Sequence, residues 1–137
     1  MVAGLVLVAY EVRQATLQAE AATSRAFVTG VVDSRRDMAL SPGLAERYVK
    51  ENTSGVETLT SVEKFRLAEW EQGRRTRMIG QIIQYRMVLL DRGALEAMLP
   101  SLTSLEKGLW ADLEIGPIRG FADVIQPIRE EMGLLDQ

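Results

Sequence analysis

The chain has 137 residues, 47% of them hydrophobic, 6% aromatic and 26% charged, with a formal net charge of −3 and neither histidine nor cysteine. That length suits a single domain, residues 1–137, with one modest and mostly aliphatic core. The missing residue types exclude disulfides, thiolate chemistry and Ser-His-Asp or Cys-His catalysis, and the acidic balance gives no reason to expect a nucleic-acid partner.

In residues 2 to 38 only two glycines interrupt a helical pattern, and residues 1–10 carry no charge. Ten residues of helix reach about 15 Å, half of the roughly 30 Å of hydrocarbon in a bilayer. The run therefore does not span by itself, and with no positive residues before it and no cleavage-like end it is a poor signal peptide. Three readings stay open: the carboxyl half of a spanning helix that starts upstream, an interfacial anchor, or a buried first turn of a helical bundle. Tyr10 followed by Glu11 and Arg13 is the order in which a helix leaves a headgroup layer. Ala15, Ala19, Ala22, Ala26 and Gly30 then recur every three or four residues. They form a face that another helix, or a second copy of the chain, can approach closely.

Ser41 and Pro42 mark a stop and a restart, with Ser41 expected as N-cap of a short second helix ending near Glu51. Asn52, Thr53, Ser54 and Gly55 read as a turn. Thr60 and Glu63 form a capping box that opens a long third helix, expected to run to Leu90 or Arg92 with Gly93 just beyond its end. Leu95, Met98, Leu99, Leu102, Leu105, Leu109 and Leu113 make one apolar stripe beside Trp110, which Pro100 is expected to kink or split. A fifth segment after Gly116 and Pro117 places Ile118, Phe121, Val124, Ile125, Ile128 and Met132 at helical spacing, with Pro127 bending its last turns. No window alternates with period two. The expected fold is all-α, an antiparallel bundle of four to five helices with long first and third helices.

The third helix also carries Gln84 and Tyr85, followed by Leu89, Leu90 and Asp91. Together with the apolar start running into Tyr10, Arg13 and Gln14, this layout resembles a family of uncharacterised bacterial proteins in which one N-terminal transmembrane helix precedes a helical domain. Val88 stands where that family carries glycine, and Gly80 and Gln81 stand in place of a Glu-Asn pair. The resemblance implies membrane association and no particular activity.

Two groups of side chains invite a functional reading. Arg77, Gln81, Gln84 and Tyr85, with Arg86, put hydrogen-bonding groups on the most apolar part of the third helix, where they either line a polar pocket or satisfy one another. Arg74, Arg75 and Arg77 form a patch suited to anionic headgroups, unless Glu71 and Trp70 engage them along the helix. Carboxylates are plentiful, but a di-iron bundle typically draws on Glu-x-x-His pairs and this chain has no histidine. No phosphate-binding glycine loop occurs. No catalytic residue, metal or cofactor is expected. The leading expectation is a non-enzymatic helical interaction or structural module, membrane-associated through residues 1–10 with its body on the cytoplasmic side and otherwise cytoplasmic. Homodimerisation through the alanine face is a further expectation. The alternative is a sensor or carrier that binds a small apolar or amphipathic ligand, of unknown identity, between its helices.

Overall fold

The computed structural model describes residues 2–135, the side chains of Ala3, Met38 and Ala39 excepted; Met1 and the last two residues of the expected domain lie outside the described residues. An uninterrupted run of helix-compatible residues gives one helix of 39 residues, α1 (Val2–Leu40). It stops where it must. Pro42 lacks an amide proton and disfavours helical backbone in the residue before it. The chain restarts at once as α2 (Pro42–Ser54), followed by a 3-10 turn at Val56–Thr58. Then come α3 (Ser61–Arg86), α4 (Arg92–Lys107), the short α5 (Leu109–Asp112) and α6 (Ala122–Glu131). No strand occurs among the described residues, so the all-α class with long first and third helices stands.

The principal core lies in the second half of the chain. Met78 and Ile82 of α3 meet Leu95, Leu99 and Leu102 of α4, and Trp110, Ile118, Ile125, Ile128 and Leu134 close around them. A smaller cluster of Leu44, Leu59 and Leu67 joins α2 to the start of α3. The α4 stripe is buried as its 3.6-residue spacing requires. By contrast, α1 places none of its described side chains in either core. The long first helix is thus an appendage on the body, and the apolar opening run is not a buried turn: Val2, Leu5, Val6, Leu7, Val8 and Tyr10 are all more than half exposed.

Four local expectations change. Ser41 occupies the N-cap position but makes no side-chain cap; instead its carbonyl accepts from the amides of Leu44 and Ala45 at 2.9 and 3.1 Å. The presumed turn at residues 52–54 is the last turn of α2, because the Thr53 hydroxyl donates back to the Val49 carbonyl at 2.7 Å and leaves the backbone free to stay helical. Only Gly55, at φ +83°, leaves the helical path. The helix also runs through Pro100 without a break and ends at Gly108 instead; the proline ring is exposed, so the only local loss is one amide donor. At the start of α3 the capping box holds as expected, with the Thr60 amide donating to Glu63 Oε2 at 2.7 Å. That bond and Lys50 keep the Glu63 carboxyl down at about 2.

The fourth change is the end of α3, which comes at Arg86, well before Gly93. Asp91 accepts from the Ala94 amide at 2.8 Å and so starts α4, which makes Gly93 part of a helix and not its terminator. The terminator is Val88. Its amide donates to the Tyr85 carbonyl and the Leu89 amide to Gln84, both at 2.9 Å, the paired closure that needs a left-handed residue between helix and loop. The same closure recurs after α5 at Glu114 and after α6 at Gly133. The three φ values are +60°, +58° and +65°, yet only one of the three residues is glycine. A β-branched residue in this conformation is strained by about 1–2 kcal/mol. Val88 is 78% exposed, so it loses little packing when trimmed. Val88→Gly is therefore expected to raise stability by about 1 kcal/mol, after allowing for the larger unfolded-state entropy of glycine. Urea unfolding followed by circular dichroism checks this.

Candidate functional site

Among the described residues, Arg77 is the side chain that hydrogen-bonds α3 to the docked half of α1. Arg77 Nη1 donates to the Gly30 carbonyl at 3.2 Å and to the Ser34 hydroxyl at 2.6 Å. The arginine is long enough to hold the two helices together without bringing their backbones into contact, and a cleft of about 500 Å³ opens between α1, α3 and α4. Its apolar surface comes from Phe27 and Val31 of α1, Trp70 and Met78 of α3, and Met98 of α4. Arg35, Arg74 and Arg77 line it as well. The remaining polar groups are Ser34, Gln81 and Ser101, and among the described residues no carboxylate lines the cleft. A second space of about 340 Å³ adjoins it and shares Phe27, Arg77 and Gln81, with Ala26, Gly30, Gly80 and Gln84 completing it.

The polar set picked from sequence is therefore brought together in part. Arg77, Gln81 and Gln84 border these spaces, whereas Tyr85 turns to the principal core and packs there. The other members come from α1, α4 and further positions of α3, and sequence reasoning did not bring them together. Phe27, Val31 and Arg35 recur every four residues on the first helix, a signal that was present but weaker than the alanine repeat beside it. That alanine repeat divides: Ala15, Ala22 and Ala26 are exposed, while Ala19 and Gly30 are half-buried. At Gly30 an added methyl group would meet only the Arg77 side chain, at 3.7 Å, so no backbone approach requires the glycine there.

Arg74, Arg75 and Arg77 form neither a free patch nor a purely helical network, because each reaches a different element. Arg74 donates to the Ser101 hydroxyl of α4 at 3.2 Å and lies 3.6 Å from Glu71 Oε1. Arg75 donates to the Pro117 carbonyl at 3.2 Å. Arg77 takes α1. Glu71 itself is fully buried and accepts the indole N–H of Trp110 at 2.7 Å. Elsewhere in the body, the buried Arg129 donates to Glu106 Oε2 at 2.5 Å, and Glu106 Oε1 accepts the Ile118 amide at 2.7 Å. This pins the segment between α5 and α6. Arg86 pairs instead with Asp123 at 3.5 Å on the surface.

The lining chemistry is specific in kind: positive charge and hydrogen-bond donors around an apolar surface. Among the described residues no group of three or more acidic side chains stands where it could hold a metal ion. Nor, among them, is any helix long and apolar enough to cross a membrane. This corrects the expected resemblance to a family with an N-terminal transmembrane helix. After the run at residues 2–10, α1 carries Glu11, Arg13 and Glu20, and these charges end its apolar stretch at about half a bilayer's thickness. Compared with protein-family models, curated proteins and solved structures, the chain matches none of them, so the family suggested by those short motifs is not upheld.

Proposed function

We propose that this protein is a non-enzymatic helical interaction module whose contact element is the protruding start of α1, and that the contact is with the acyl chains of one membrane leaflet. The observation that supports this reading is the all-round exposure of Val2, Leu5, Val6, Leu7, Val8 and Tyr10 on a continuous helix. A helix that is apolar on every side is stable in water only when something surrounds it. A grooved partner covers one stripe of a helix; acyl chains cover all of it. Tyr10 then falls at the headgroup level, and Glu11 and Arg13 lie in water. Burial at the depth of a single leaflet fits the length of the run, and the polar turns that follow carry the body away from the surface.

Flotation with phospholipid vesicles tests the reading. The full chain is expected to float with the vesicles, and a chain lacking residues 2–10 to remain behind, with the same helical circular dichroism in its body. Equal behaviour of the two chains sinks the membrane reading. If the full chain stays off the vesicles and sediments as a dimer that the deletion abolishes, the apolar run is a self-association surface instead.

A further inference from the structure

We propose that the cleft between α1, α3 and α4 binds an amphipathic anion, a molecule with one compact carboxylate or phosphate head and an apolar tail of medium length. The inference is independent of the reading of the N-terminal run, because the cleft lies on the docked half of α1 and uses no residue before Phe27.

Charge carries the first half of the argument. Arg35, Arg74 and Arg77 approach one space from two helices, and like charges gathered beside one apolar cleft repel each other. Their existing partners neutralise only one of them. Arg74 has Glu71 Oε1 at 3.6 Å as its counter-charge, while the other carboxylate oxygen accepts from Trp110. Arg77 bonds only neutral oxygens among the described residues, those of Gly30 and Ser34. Arg35 has no ion pair or hydrogen bond among the described residues. The nearby acids of α1, Asp33 and Asp37, are exposed and do not line the cleft. Three guanidinium groups with a single internal counter-charge, that of Glu71 on Arg74, leave a place for an anion, and their planar forks match the oxygen geometry of carboxylate and phosphate.

Shape and lining carry the second half. A free inorganic anion needs no apolar wall, yet this cleft has five large apolar side chains supplied by three helices. Its volume of about 500 Å³ falls within the roughly 300–1,000 Å³ of small-molecule sites. Met78 and Met98 are unbranched and polarisable, so they adapt to a flexible tail better than branched side chains do. Ser101 and Gln81 supply neutral hydrogen bonds beside the arginines. The head therefore sits by Arg35, Arg74 and Arg77, with the tail against Phe27, Trp70 and the two methionines.

Titration of the full chain by calorimetry and by Trp70 fluorescence tests this, with decanoate, decyl phosphate, decanol and inorganic phosphate as probes, each kept below its micellar concentration. Trp110, buried on Glu71, gives a constant background. Decanoate or decyl phosphate is expected to bind at least about tenfold more tightly than decanol, and inorganic phosphate more weakly than either. Which of the two charged probes binds better distinguishes a carboxylate source from a phosphate source. Arg35→Gln, at an exposed position with no internal partner, is expected to weaken the charged probe about tenfold while leaving decanol binding and the melting temperature unchanged. Ala97→Phe, which fills the cleft from α4, is expected to abolish binding of both probes. Decanol binding as tightly as decanoate, Arg35→Gln without effect on the charged probe, or no probe binding at all would each overturn the proposal.

Discussion

Glu71→Ala is expected to lower the unfolding free energy by about 3 kcal/mol, a large share of the roughly 5–15 kcal/mol available to a domain. Two losses add. The indole N–H of the fully buried Trp110 loses its 2.7 Å acceptor with no water to replace it, which costs about 1–3 kcal/mol. The truncated side chain also leaves a void among Leu67, Trp110 and their neighbours, at about 0.8 kcal/mol for each methylene removed. Charge is the smaller part, since Arg74 keeps the Ser101 hydroxyl and partial contact with water. Glu71→Gln keeps both the volume and an acceptor and is expected to cost only about 1 kcal/mol. In a Trp110→Phe background, where the donor is already gone, Glu71→Ala is expected to cost markedly less than in the parent. Urea unfolding of the four proteins measures this. Additive losses would mean that the hydrogen bond is not the source of the effect.

Glu106→Ala is expected to cost more, about 3–5 kcal/mol, because it strands a buried charge. Arg129 is 6% exposed, and Glu106 Oε2 at 2.5 Å is its counter-ion. The same carboxylate accepts the Ile118 amide and so fixes the irregular segment that joins α5 to α6. Removing it leaves a guanidinium and an amide unpaired in the interior. The paired replacement Glu106→Leu with Arg129→Met removes both charges and refills the space, and is expected to fall within about 1 kcal/mol of the parent. Hydrogen exchange supplies a second readout: in Glu106→Ala the Ile118 amide is expected to lose protection ahead of those of α3 and α4. A single variant as stable as the parent would show that the pair contributes nothing beyond packing.

Both predictions rest on side chains whose importance is only partly visible in the sequence. Glu71 looks like a helix-surface partner for Arg74 three residues on, and that pair does form. Nothing local reveals that α5 delivers an indole to the same carboxylate. Glu106 and Arg129 are 23 residues apart, and neither belongs to a recognisable motif. Arg74, Arg75 and Arg77 looked like a patch because their spacing was read along one helix, whereas each reaches a partner on a different element. The candidate cleft was half legible in the same way. Arg77, Gln81 and Gln84 stood out as polar groups on an apolar helix, but Arg35, Phe27 and Met98 become neighbours only once α1 lies across α3 and α4.

What the sequence by itself determined is whatever short-range chemistry controls. The 3.6-residue recurrence of leucine and isoleucine specifies helices and their buried faces, Pro42 ends the first of them, and the Thr60–Glu63 capping box starts α3. The missing histidine and cysteine set aside several chemistries before any fold is known. Tertiary structure decided where the competing signals yield. It ended α3 at the strained Val88 instead of at Gly93, because Asp91 caps the next helix and α4 must begin there to bury Leu95 and Leu99. It also set α1 outside the core, held on the body by Arg77 while its apolar first turns stand exposed. Local propensity makes a helix of α1 wherever it lies; only the packing of α3, α4 and α6 against one another, which forms the principal core from their residues, places it at the edge.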